Sequence, residues 1–332
     1  MKFITYNVWH GLGGSGFLRF NELERPGRKN ERLELQAGEL ASLQPDLLFL
    51  QEVNPVGSGA RFYADKLGMA EVHQVDQAGI EIFGWGVPAN LKTGLCLLAR
   101  PSFKPRKIAG LKLSGDRLGF LSERLSFQLR EFRYALFARV WTEDTTILTV
   151  NLHLHHGPRL TNEADDRLED LVDAGRVPRE LAEKTRVEML ISVGRRKREI
   201  EKILEQVHRL RLDGEEVVLA GDFNSWGEDL DPFERDGFVN VTAPRVREPT
   251  WDLPNNLENH KLSRLLVSPY PDYGNADLLE FIRLTIDEPR MLDHVLMSEG
   301  LAARVKSARR VFDKPRDGLL GSDHFGLEVI TG

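Results

Sequence analysis

The feature that most constrains this chain is a set of short runs in which apolar residues mostly fall on consecutive positions. They are Lys2–Trp9, Asp46–Glu52, Leu95–Ala99, Ala135–Trp141, Thr146–His153, Val217–Ala220, Asp293–Met297 and Phe325–Ile330. A strand with one wet face alternates apolar and polar side chains, so unbroken runs predict strands covered on both faces. Helical periods lie between some of them. Glu31–Gln44 carries Leu33, Leu35, Ala37, Leu40, Ala41 and Leu43 and stops before Pro45, while Arg195–Leu210 gathers Ile200, Ile203, Leu204 and Val207 on one face.

At 332 residues the chain is about twice a common domain length, and it can bury a core without staples. Neither an internal repeat nor a Pro/Gly/Ser linker divides it, which predicts a single domain over 1–332. A charged segment near 157–193 is a helical insertion: residues 158–213 hold 13 basic and 13 acidic side chains, a solvated arm or a lid. The net charge of −6 gives no overall pull toward nucleic acid or anionic membranes. Cys96 is alone, which excludes an internal disulfide and a cysteine-based zinc site, and its apolar surroundings predict a buried inert thiol. No run approaches the ~20 apolar residues of a membrane span and no signal peptide is recognisable, so the expected location is cytoplasmic.

Gly11–Gly16 matches G-x-G-x-x-G after a strand, but a dinucleotide site needs a helix to start at those glycines. Pro26-Gly27 is expected to break any such helix early, and the segment reads as a loop at the rim of a site.

Polar residues cluster where the apolar runs end. Asn7 follows Phe3–Tyr6, Glu52 closes Leu47–Gln51, Asn151 and His153 close Ile147–Val150, and Asp222 and Asn224 follow Val217–Gly221; Asp293 precedes Val295–Met297, and Asp323-His324 precede Phe325. Acids at the ends of buried strands need a metal, a cation or water. Oxygen donors with few imidazoles and no thiolate suit Mg²⁺ or Mn²⁺. Alternation is expected to put Asn151, His153 and His155 on one face.

In this order the motifs Thr5-Tyr6-Asn7, Leu50-Gln51-Glu52-Val53, Gly94–Arg100, Val150–Leu154, Gly221-Asp222-Phe223-Asn224, Leu292–Leu296 and Ser322–Phe325 resemble the endonuclease/exonuclease/phosphatase superfamily of deoxyribonuclease-I-like, metal-dependent phosphoesterases. The resemblance implies an α/β fold, a two-sheet sandwich flanked by helices with the site at one end. It further implies Asn7, Glu52 and Asp323 as the metal site, with Mg²⁺ or Mn²⁺ bound. Asp222 would hold or deprotonate the attacking water and Asn224 would orient it. His324, supported by Asp293, would face the scissile phosphate, and His153 would contact phosphate or assist the leaving group. Either Asp222 or His324 could be the base. One departure stands out: many members carry Arg two residues before the Asp of Leu-Asp-His, where this chain has Met291, with Arg290 one position earlier.

The implied partner is a phosphoester substrate: nucleic acid, a phospholipid headgroup or a small phosphate ester. Segment 100–140, with 10 Lys/Arg against 3 Asp/Glu, and the run Arg304–Arg316 could form a phosphate track. Ile80–Trp85 and Leu12–Phe20 could instead meet a lipid interface, and Thr250–Asn256 could line the pocket. The non-enzyme alternative is a degenerate domain that only binds phosphate. Oligomeric state is not legible.

Overall fold

A computed structural model describes residues 1–13, 22–23, 26–82, 85–87, 92–115, 120–121, 125–128, 132–256 and 274–332. Two mixed sheets of six strands each pack face to face. The first runs in the order Val305–Val311, Gly326–Thr331, Lys2–Asn7, Leu47–Val53, Thr93–Ala99, Ala70–Gln77. The second runs Phe238–Asn240, Asp293–Ser298, Glu216–Asp222, Thr146–His153, Arg133–Trp141, Arg106–Ser114. Each sheet has one parallel pair at its centre, Lys2–Asn7 with Leu47–Val53 and Thr146–His153 with Glu216–Asp222; the other neighbours are antiparallel.

The consecutive apolar runs are explained by what covers each face. Phe3, Leu47, Phe49, Leu95, Leu97, Leu136, Val140, Val218, Ala220, Val295 and Met297 fill the space between the sheets. Their neighbours in sequence point outward. Ile4, Tyr6, Leu48, Leu50, Cys96 and Leu98 lie under α1 (Pro26–Leu43) and α2 (Val56–Leu67). Leu148, Val150, Leu152, Val217, Leu219 and Leu296 lie under Ile200, Ile203 and Val207 of α4 (Arg179–Leu210). Cys96 is fully buried there, and burial pushes its thiol well up, as expected of an inert residue.

Two helix boundaries differ from expectation. Helix α1 starts at Pro26 rather than Glu31, because proline's missing N–H costs nothing in a first turn. The arm and the Arg195–Leu210 helix are one 32-residue helix, α4, which runs through Gly194. Its N-terminal half, with α3 (Asn162–Asp173), is more than a solvated arm. Ala164, Leu168, Ala182 and Met189 form a small second core with Leu278, Phe281 and Ile282 of the Ala276–Asp287 helix. Among the described residues no helix is long and apolar enough to cross a membrane.

Candidate active site

Along the inner face of the sandwich, apolar side chains give way to polar ones at one end. The sequence Phe3, Thr5, Asn7 on the first strand is matched by Val218, Ala220, Asp222 and by Met297, Val295, Asp293. Because side chains alternate, all of these point between the sheets, and the polar ends converge. Thr146–His153 adds Asn151 and His153, both buried.

Glu52 reaches this face by an exception. Its parity would turn it outward with Leu48 and Leu50. The register with Thr93–Ala99 slips between Leu50 and Val53, and Glu52 takes φ 60°. A β-bulge thus re-aims the carboxylate, a strained backbone of the kind found at working sites. Asn224, just past Asp222, also has φ 45°. Gly221 is needed for close approach, since a Cβ there would lie 1.9 Å from the Leu152 carbonyl oxygen of the neighbouring strand.

Asn7 ties the carboxylates together, its Nδ2 donating to Glu52 Oε1 and Asp222 Oδ2, both at 3.1 Å. The backbone N–H of His10 donates to Glu52 Oε2 at 3.1 Å, and the His10 ring lies 3.5 Å from that oxygen. Burial raises the Glu52 carboxyl, but chiefly His10, with the hydrogen bonds from Asn7 and the His10 N–H, brings it below its ordinary value. Asp323 goes the other way. Burial, with the charge of Glu52, pushes it up to about 6, against the pull of His324 and His10.

His324 Nδ1 pairs with Asp293 Oδ2 at 2.8 Å, and its Nε2 faces Asp222 Oδ2 at 3.7 Å. Burial alone would lower this imidazole, but Asp293 and Asp222 raise it well above its ordinary value. Burial, reinforced by Asp293, lifts Asp222 to about 7 despite the opposing pull of His324. His153 Nε2 faces Asp222 Oδ2 at 3.5 Å and Glu52 Oε1 at 3.9 Å. The backbone N–H of Asn224 donates to Asp222 Oδ1 at 2.9 Å, and its side chain donates to the Leu154 carbonyl at 3.1 Å.

The eight residues to which the family resemblance gives a role therefore meet at one end of the sandwich. The ligand atoms of Asp222, Asp293 and His324 lie within 4.8 Å of one another, a buried group able to hold a metal ion. Ser322 binds the last motif to the first: its hydroxyl donates to the Asn7 carbonyl at 2.6 Å and accepts from the His324 N–H at 3.2 Å.

The model of the "Endonuclease/Exonuclease/phosphatase family" matches residues 4–324. The chain belongs to this family. Its membership is that of a phosphoesterase-type hydrolase, in a family that generally uses a divalent metal. Among curated proteins none matches the sequence. Solved structures share the fold at low identity. A family protein from Leptotrichia buccalis is 16% identical with a TM-score of 0.57, covering 100% of this chain and 99% of that one. Humanized D. rerio TDP2 is 13% identical with a TM-score of 0.55, covering 99% and 97%. The Bacteroides thetaiotaomicron mannosyl-6-phosphatase Bt3783 is 15% identical with a TM-score of 0.55, covering 99% and 98%.

Within this family fold several expectations are corrected. Asn151 shares the inner face with His153 as expected, and there it ties the sheets together: it accepts from Gln51 Nε2 at 2.8 Å and donates to the Leu50 and Cys96 carbonyls at 2.9 Å. His155 leaves the shared face because the strand ends at His153; its N–H donates to Glu199 Oε2 at 2.8 Å. Arg290 does not reach Asp293. Its guanidinium stacks over Trp226, 4.4 Å from the ring centroid, and Thr250 Oγ1 takes the N–H groups of Leu292 and Asp293 instead. Trp251 of the Thr250–Asn256 loop packs its ring 5.0 Å from that of His324.

Among the described residues the basic track is dispersed. Arg100 and Arg106 stand at the end of the sandwich opposite the site, Lys112 lies over Phe132, and Arg304, Arg309 and Arg316 pair with Glu216, Glu328 and Glu39. Arg117, Arg124 and Arg130 fall outside the described residues, as do residues 14–20 and 83–84 of the two apolar segments. Ile82, at 60% exposure, is an exposed apolar side chain on the described part of Ile80–Trp85.

Sequence reasoning missed His10, Arg133 and His156. Arg133 lay in the basic segment, but alternation would turn it outward with Ala135 and Phe137. A register shift between Arg133 and Tyr134 interrupts that pattern.

Proposed function

We propose that this chain is a divalent-metal-dependent phosphodiesterase that uses an activated water. The observation that carries the reading is the line Asp293–His324–Asp222, in which a buried imidazole held cationic at neutral pH faces a buried carboxylate lifted to about 7. His324 is thereby suited to bind a phosphoryl oxygen and Asp222 to take a proton from water near neutral pH. Asn224 steadies Asp222 and the incoming water, and Asn7 keeps Asp222 aligned with Glu52. His153 meets the substrate from the opposite wall.

A metal fits beside this line. Glu52 and Asp323 are oxygen donors close enough that the charge of one raises the carboxyl of the other, a repulsion that a divalent cation removes. Glu52 and Asp323 would hold Mg²⁺ or Mn²⁺ with Asn7 alongside, leaving Asp293 and His324 paired to each other. The chemistry a bound ion supplies there is neutralisation of phosphoryl charge. Diesters are favoured on charge: a diester brings one negative charge, a monoester dianion two, toward Glu52, Asp222, Asp293 and Asp323.

The test is hydrolysis of bis-p-nitrophenyl phosphate with Mg²⁺ or Mn²⁺, alongside p-nitrophenyl phosphate. The diester should turn over faster, and Asp222→Ala and His324→Ala should each abolish turnover. Equal activity in wild type and variants would overturn the assignment. A panel of plasmid, single-stranded oligonucleotide, sphingomyelin and inositol phosphates then sorts the substrate class.

A further inference from the structure

The structure assigns Arg133 as a positioning residue that fixes the tautomer of the His153 imidazole, with Nδ1 accepting and Nε2–H turned to the site. This inference rests on the phosphoesterase reading of the site and deepens it.

Arg133 stands at the start of Arg133–Trp141 and is 4% exposed. Its Nη1 lies 3.2 Å from His153 Nδ1, and its Nη2 lies 3.1 Å from His156 Nδ1. The same Nη1 lies 3.6 Å from Asp76 Oδ2 of the first sheet, a pair whose side chains are only 5% and 3% exposed. One guanidinium thus spans both sheets and holds two rings by its fork.

A guanidinium has donors and no acceptor, and it does not lose its proton in a protein. A ring nitrogen at hydrogen-bond distance from it must therefore present a lone pair. His153 Nδ1 accepts, so the ring's one proton sits on Nε2, the nitrogen facing Asp222 and Glu52. In this tautomer His153 donates on the site side and cannot serve as the base. Asp76 keeps that guanidinium in place by compensating its charge where water is scarce.

The two imidazoles of the site are therefore set oppositely by their neighbours. Asp293 behind His324 accepts from its Nδ1; Arg133 behind His153 donates to its Nδ1. Misplacing a reacting-site group by about 1 Å can cost about 100-fold in rate.

The first test is the ¹H–¹⁵N correlation spectrum of histidine-labelled protein at neutral pH, metal-free and with Mg²⁺, with His153 assigned through His153→Gln. An Nε2–H tautomer supports the inference; an Nδ1–H tautomer or a doubly protonated ring overturns it. The second is kinetic. Arg133→Lys, which keeps the charge but loses the fork, should lower kcat on bis-p-nitrophenyl phosphate roughly 100-fold with KM within about threefold. In a His153→Gln background the same change should cost less than about threefold, because Arg133 acts through that ring. A full loss in that background would assign Arg133 a purely structural role. Were wild type inactive on every phosphoester, the proposed function would fail while the tautomer spectrum still decided the role of Arg133.

Discussion

Replacing Asp293 by Asn probes the charge behind His324 with almost no change in shape. Asp293 is fully buried, and its Oδ2 accepts from His324 Nδ1 at 2.8 Å, where the histidine side chain is 6% exposed. A hydrogen bond to a charged group is worth about 1.5–3 kcal/mol net, and burial places this one toward the upper end. If that stabilisation is spent on the cationic ring facing phosphate, about 3 kcal/mol corresponds to about 100-fold in kcat. The pH profile gives a second, independent reading. Asp293 and Asp222 together raise the His324 imidazole, so removing one of them lowers it, and activity that needs the cation is lost at a lower pH. The assay is kcat on bis-p-nitrophenyl phosphate across pH 5–10 at saturating Mn²⁺, with the unfolding midpoint measured alongside. A kcat within threefold of wild type, or an alkaline limb that moves upward, would refute the role of Asp293 in holding His324 charged.

Three further outcomes follow from the same geometry. Asn151→Leu strips Gln51, Leu50 and Cys96 of buried partners and should cost about 3 kcal/mol or more in urea unfolding, at 1–3 kcal/mol per stranded group. Gly221→Ala must force the two central strands apart at the Leu152 carbonyl; we expect a lower urea midpoint and lost turnover, since Asp222 is the next residue. His294 is buried and held at about 4, chiefly by burial, against an unfolded value of about 6.5. The unfolded chain therefore binds the extra proton between those values, so the contribution is complete above pH 6.5 and is lost as pH falls toward 4. Urea midpoints should drop by the equivalent of about 3 kcal/mol across that window, and His294→Gln should flatten the drop.

The parts legible in the sequence are those set by local pattern. Consecutive apolar positions announced strands covered on both faces, and the polar residues ending those strands named the site. Glu52 was legible only as the end of a run; its direction depends on a bulge that period-two reading would have turned the wrong way. Arg133 was hidden for a similar reason, since its partners, Asp76 and His153, come from different sheets and an irregular register lets it reach both. The second core under α3 and α4 escaped notice because its other wall, Ala276–Asp287, lies about a hundred residues downstream. The arm's balanced charges read as a wet surface when only half of its packing partners were in view.

These misses share a cause that bears on the chemistry. The alternating pattern of a sandwich can deliver residues such as Asn7, His153, Asp222 and Asp293 to the space between the sheets, but it delivers them as equals. What differentiates them is supplied where the pattern breaks: the bulge that turns Glu52 inward, the positive φ of Asn224, and the shifted register that brings a guanidinium behind His153. Two histidines at similar depth then acquire opposite partners at Nδ1, an acceptor in Asp293 and a donor in Arg133. An irregularity costs strand pairing, so it persists only where its product is useful. If that reasoning holds, deleting Gln51, which restores one-to-one pairing with Thr93–Ala99, should abolish turnover, because Glu52 would move into the register position from which Gln51 reaches Asn151. A deletion that leaves activity intact would break the link between the bulge and the site.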